Sequence, residues 1–253
     1  MGDKKTILKL HAPFLAENYN KNHNGPADGV IPAGAQLRKS FPNIASNFGS
    51  HAEGAGTTAS GKYSHSEGYG TEACRDTSHA EGANTKSISA YSHTEGNKTQ
   101  AGIYIVNENG EYLNDKGEIT TEHKEAATLG KYSHAEGRGS KLYEKDFIDN
   151  TTIVQDWKKE KFLMACGEAS HAEGKDTFAC GEVSHAEGRN TLALGKTAHA
   201  QNTGCLALGD YTHSEGSDSE AIGACSHAEG RCGITNGDYS HAEGLYSIAN
   251  GKG

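Results

Sequence analysis

Ser184-His185-Ala186-Glu187-Gly188-Arg189-Asn190-Thr191-Leu192-Ala193-Leu194-Gly195-Lys196-Thr197 is one copy of a 14-residue unit. Histidines fall at 51, 65, 79 and 93, at 134, and at 171, 185, 199, 213, 227 and 241. Eleven of the 14 histidines thus belong to one array. The repeat reads Ser-His-Ala-Glu-Gly, two variable residues, Ser/Thr-x-Ala-x-Gly and two more, and nearly every copy keeps its start. Ala198-His199-Ala200-Gln201-Asn202 is the degenerate one. A fixed period of this kind marks a solenoid of stacked supersecondary units.

Parity assigns the faces. Alternate side chains of a strand point to opposite sides. Ser184, Ala186 and Gly188 share one face, and His185 and Glu187 the other. In a second short strand, Thr191, Ala193 and Gly195 face one way, Leu192 and Leu194 the other. Two strands whose facing sides carry only small residues approach closely, and glycines turn the chain between them. The expectation is an all-β coil of two strands and two turns, stacked at ~4.8 Å in parallel ladders into a rod of about 50 Å.

Composition agrees with a solenoid lacking an ordinary core. Leu, Ile, Val and Phe number 35 of 253 residues, and none of them lies between Gly49 and Ser87. Without the repeat, that poverty would predict disorder. A net charge of −9 with no basic stripe argues against nucleic acid. No apolar run reaches the ~18 residues of a membrane span, so membrane insertion is not expected. Lys9 interrupts any signal-peptide apolar region.

At this period, Ser-x-Ala-x-Gly followed by Ser/Thr-x-Ala-x-Gly resembles the head repeat of YadA-like trimeric adhesins. The resemblance covers about residues 49–102, 131–140 and 166–251. It implies a left-handed parallel β-roll that assembles as a homotrimer. The Ser-His-Ala-Glu-Gly variant also resembles repeat regions of bacteriophage tail-fibre and tail-spike proteins. The adhesin family has Val and Ile where this chain has His and Glu, and there that pair faces the trimer centre. With no visible signal peptide, heptad stalk or membrane anchor, the expectation is a phage-type fibre, extracellular or virion-associated. Its function would be to present surfaces to a host-cell glycan or protein.

The ladder expected to face the trimer comprises His51, Glu53, His65, Glu67, His79, Glu81, His93, Glu95, His134, Glu136, His171, Glu173, His185, Glu187, His213, Glu215, His227, Glu229, His241 and Glu243. Positions flanking the second Ala vary (Thr58, Glu72, Phe178, Leu192, Leu206), as on a solvent-facing side. Imidazolium paired with carboxylate would raise the folded histidine pKa and give a stability optimum on the mildly acidic side. No metal, cofactor or catalytic residue is expected. One repeat holds no convergent ligand set, and eleven equal pairs describe a scaffold rather than an active site. Ser and His at adjacent strand positions point apart, so they form no nucleophile–base dyad.

Residues 1–48 lack the repeat and read as an irregular cap or attachment arm, with 49–253 the β-roll. Extra residues between His93 and His134, and between His134 and His171, are insertions at about 103–129 and 142–165. The first contains a hairpin signal at Asn109-Gly110, and Thr120 to Leu129 reads as a short helix. Tyr104, Tyr112, Tyr143 and Trp157 are the candidate receptor contacts, with bracing of the roll as the alternative role. Cys166 and Cys180 stack on adjacent coils as small packing residues. Rival functions are a purely structural filament or spacer, and a polysaccharide-degrading spike using insertion carboxylates such as Glu108, Glu111, Asp115, Glu144 and Asp146.

Overall fold

In the computed structural model, which describes residues 42–107, 109, 111–122, 126–139 and 163–251, the repeat builds two parallel β-ladders. One has eleven strands, from His51–Ala55 to His241–Ala242. The other has twelve, from Ile44–Ala45 to Ile248–Ala249. Like residues pair with like: His171 with His185, Ala172 with Ala186, Glu173 with Glu187, Gly174 with Gly188. His134 pairs with His93 on one side and His171 on the other, so neither insertion shifts the register. The protein is an all-β parallel solenoid with coils of 14 residues, and no helix occurs among the described residues.

Small side chains fill the space between the ladders. Ala172, Ala179, Ala186, Ala193, Ala200 and Ala207 are buried in one cluster. Most serines before a repeat histidine are buried too, and several close the turn behind them with the hydroxyl. Ser170 Oγ donates to the Gly167 carbonyl at 2.8 Å and Ser240 Oγ to that of Gly237 at 2.6 Å. Thr212 does the same to Gly209 at 2.7 Å. Where larger polar pairs meet across the core, as Ser66 with Thr71 at 2.7 Å, two hydroxyls satisfy each other. These paired hydroxyls offset the cost of their burial.

The corners reverse the direction of hydrogen bonding. Strand residues donate to the following coil, as His171 N to Ser184 O at 2.9 Å. Corner residues donate to the preceding coil, as Val183 N to Glu168 O at 2.8 Å and Asn190 N to Lys175 O at 3.0 Å. The left-handed conformation turns these amides round: φ is 57° at Val183 and 56° at Asn190, and the same holds two before and five after most repeat histidines. A left-handed L-residue costs about 1–2 kcal/mol, and the bond to the neighbouring coil offsets it.

Glycine is required where coils touch. A Cβ on Gly195 would lie 1.8 Å from the Gly209 carbonyl oxygen. On Gly188, where φ is 98°, it would lie 2.3 Å from the Asn202 carbonyl. Asn202, the exception in the series, adopts φ 72°.

The outer face of the second ladder departs from expectation. Phe178, Met164 and Leu192 are fully buried, and Leu206 is nearly so. They form one apolar cluster with Ile103 of the first insertion. Toward the ends the same row is open, with Ile248 61% and Ile44 47% exposed. The variable row is therefore not uniformly solvent-facing: its mid-rod apolar members are covered, and those at the ends are open.

Ile103–Tyr104 and Thr128–Leu129 pair antiparallel, joined outward by bridges Val106 to Tyr112, Leu113 to Ile119 and Asn114 to Ala126. Among the described residues of Thr120–Leu129 no helix forms, and Thr128–Leu129 is a strand instead, because long-range pairing with Ile103–Tyr104 overrides local propensity. Asn107 Oδ1 accepts from the amides of Asn109 and Glu111 at 3.0 Å each, closing the hairpin turn. Arg75 anchors the insertion: its guanidinium lies 5.6 Å from the Tyr104 ring centroid and donates to the Ala126 carbonyl.

Three further expectations are revised. The second ladder begins with Ile44–Ala45, inside the segment read as an arm. Leu163–Ala165, assigned to the second insertion, is a strand of that ladder. Cys166 and Cys180 are joined by a disulfide rather than merely packed. Their Cα atoms lie 4.6 Å apart, the distance between stacked coils and within the disulfide range. The rest of the arm (1–41) and of the second insertion (142–162) lies outside the described residues.

Two substitutions test this packing. Gly188→Ala is expected to cost more than about 2 kcal/mol in chemical denaturation, since it adds strain at positive φ to a backbone clash. Phe178→Ala is expected to cost about 3–5 kcal/mol as a buried-cavity mutation, whereas a solvent-facing phenylalanine would lose little.

Candidate functional site

The His–Glu face runs the length of the eleven-stranded ladder. Parity sends both side chains outward from the first ladder, and strict register places each over its copy. All eleven repeat imidazoles form one unbroken stack, with centroids 4.7–5.0 Å apart. Planes are nearly parallel, from 1° between His134 and His171 to 22° between His227 and His241. The stack passes both insertions unbroken.

Glutamates form a second column beside it. His Nε2 lies 3.6 Å from a carboxylate oxygen of its own coil at His65–Glu67, His79–Glu81 and His134–Glu136. Toward the C-terminal end the near carboxylate belongs to the coil before: His199–Glu187 at 3.5 Å, His227–Glu215 at 3.7 Å and His241–Glu229 at 3.3 Å. Every histidine and glutamate predicted for this ladder occupies this face. Mid-rod pairs are about a third exposed, as at His134 (35%) and Glu136 (31%), while the terminal His51 reaches 64%.

Burial lowers the pKa of His65, His79, His93, His134, His185 and His213, and neighbouring imidazoles push the same way. The glutamates oppose this but do not prevail. The carboxyl of Glu136 is raised by burial and by the stacked carboxylates of Glu173 and Glu95. These rings are therefore neutral near pH 7, and the expected raised histidine pKa is corrected. A proton entering one ring meets other rings above and below it, not only a carboxylate.

Stacking also collects ligand atoms that no single repeat holds. His171, Glu173 and His185 offer donors within 4.8 Å of one another, as do Glu215, His227 and Glu229, and Glu229, His241 and Glu243. The expectation that no convergent set exists considered one repeat, whereas these sets draw on two. Gln201 marks a break. Its amide lies 3.2 Å from His213 Nε2 and donates to the Glu215 carboxylate.

Of the candidate receptor contacts, Tyr104 is 9% exposed and packs with Ile88 and Ala126, which removes it from an accessible surface. Tyr112 is partly buried against the same cluster and meets Tyr104 edge-on at 5.4 Å. Tyr143 and Trp157 lie outside the described residues. Glu111 accepts a hydrogen bond from Asn107 Nδ2 at 2.9 Å, a turn-closing role.

Another aromatic row was overlooked. Tyr63, Tyr91, Tyr132, Tyr211 and Tyr239 each precede a repeat histidine by two, sit at the left-handed corner and are more than half exposed. Tyr91 and Tyr132 stack at 5.1 Å. Their recurrence two residues before the histidine was the available signal. The chain matches no protein-family model and no curated protein.

The lowered histidine pKa values set the sign of the pH dependence. A folded pKa below the unfolded value of about 6.5 means that the unfolded chain binds more protons in that window. This contribution to stability is complete above pH ~6.5 and is lost as pH falls through the folded values. Calorimetry should give a lower melting temperature at pH 5 than at pH 8. A maximum at mildly acidic pH would restore the ion-pair reading.

Proposed function

We propose that the chain is a non-enzymatic fibre or head segment, a left-handed β-roll that assembles as a homotrimer through its His–Glu face. In this reading it is a phage tail-fibre-like component that displays recognition surfaces on its outside. The observation that carries it is the contrast between the two outer faces. In mid-rod the second ladder's outer row is already covered, with Phe178 and Leu192 fully buried and Ile103 packed among them. The His–Glu face is the long, repetitive surface left for self-association, and a row of identical residues suits a symmetric contact.

The exposed tyrosine corners favour display over a purely structural spacer. Aromatic rings with polar tips are effective contacts for glycans and proteins, and here they sit on a rigid frame. A polysaccharide-cleaving spike has less support: of the five carboxylates considered, Glu111 closes a turn.

Light scattering at pH 5.5 and 8 tests the assembly. A mass near three times 26.7 kDa is expected at pH 8. Since protonation would charge a stacked column, any dissociation should appear at the acidic value. A monomer at both values would overturn the trimer and return the His–Glu face to solvent.

A further inference from the structure

We propose that the His–Glu column binds divalent transition-metal ions of the Zn²⁺ class, each held by an imidazole Nε2 and carboxylates from stacked coils. The clearest sites are Glu215–His227–Glu229 and Glu229–His241–Glu243, which share Glu229. They use residues of one chain, so the inference does not rest on the trimer.

Distance is the first argument. The His Nε2 to carboxylate separations are 3.6 Å at three coils and 3.5, 3.7 and 3.3 Å at His199, His227 and His241. A charge-assisted hydrogen bond would draw these atoms to about 2.7–2.9 Å. A tetrahedral ion with bonds of about 2.0–2.2 Å sets its ligand atoms about 3.4 Å apart. Except at His241, whose Nε2 meets Glu229 within hydrogen-bond distance, the gap is longer than a hydrogen bond and of the length a metal ion spans.

The second argument is an accounting of donors. Nε2 of His65, His79, His93, His134, His171, His185, His199 and His227 is shut off from water and has no hydrogen-bond partner. A buried acceptor left unmade costs free energy, and eight in register form a repeated vacancy for an electrophile. The carboxylate column adds like charges at the coil spacing. Imidazole with carboxylate is a ligand set that suits zinc.

Stack geometry decides which atoms share an ion. Lone pairs of parallel rings run side by side and do not converge, so each ion takes one imidazole and the carboxylates flanking it. His227 lies 3.7 Å from Glu215 and 4.0 Å from Glu229. Water, or a group from a neighbouring chain, would complete the coordination.

Gln201 provides a control within the molecule. It stands where other copies have Glu, and its N–H donor reaches both His213 and Glu215. At this step the amide supplies the positive end that other steps lack, and it blocks a metal.

The test is calorimetric titration of the full chain with ZnCl₂ after chelator treatment and chelator removal, with bound metal counted by elemental analysis. Saturable micromolar binding is expected. Glu229→Gln should remove about two ions per chain and Gln201→Glu should add about one. Circular dichroism in chelator checks that both variants fold, and the gain in Gln201→Glu is a result that misfolding does not produce. No saturable binding, or an unchanged ion count in both folded variants, would overturn the proposal.

Discussion

Everything in this molecule follows from holding one coil ~4.8 Å above the next with no change of register. At that spacing each residue sits directly beneath its own copy. A property tolerable once becomes a column. Alanine becomes a continuous dry seam, imidazole a continuous stack, and carboxylate a line of like charge. The spacing also dictates glycine at Gly188 and Gly195, where a single Cβ would meet backbone rather than a side chain that can move. The hydrophobic effect, dominant in most folds, is secondary here. Backbone ladders, hydroxyls closing turns and close contact between small residues replace it.

The same constraint explains the titration behaviour. An isolated His-x-Glu on a strand is a plausible ion pair, and the sequence suggests as much. In the column each ring is flanked by other rings as well as by glutamates. Partial burial and neighbouring imidazoles together outweigh the carboxylates at His134 and His185. The chemistry of the face belongs to the column and not to the motif.

The coil was legible because its information is periodic. Eleven histidines in phase, with Ala and Gly at fixed parity, give the strands, the faces and the register. What escaped was non-periodic or long-range. Nothing local in Thr128–Leu129 announces pairing with Ile103–Tyr104, and nothing in Phe178 or Leu192 says that Ile103 will pack against them. The left-handed corners also escaped, since Tyr63, Val183 and Asn190 share a backbone conformation without sharing a residue type. At the candidate site, parity located both columns. Ligand sets spanning two coils require the stacking distance, which no single repeat contains.

The stack keeps its register past both insertion points: His93, His134 and His171 stack as though the intervening residues were not there. Length and decoration are therefore independent variables in this architecture. Duplicating a repeat lengthens the shaft by one step, and expanding a corner adds an appendage, with neither change requiring compensation in the other. Such a scaffold can diversify what it carries while conserving the surface along which it stacks.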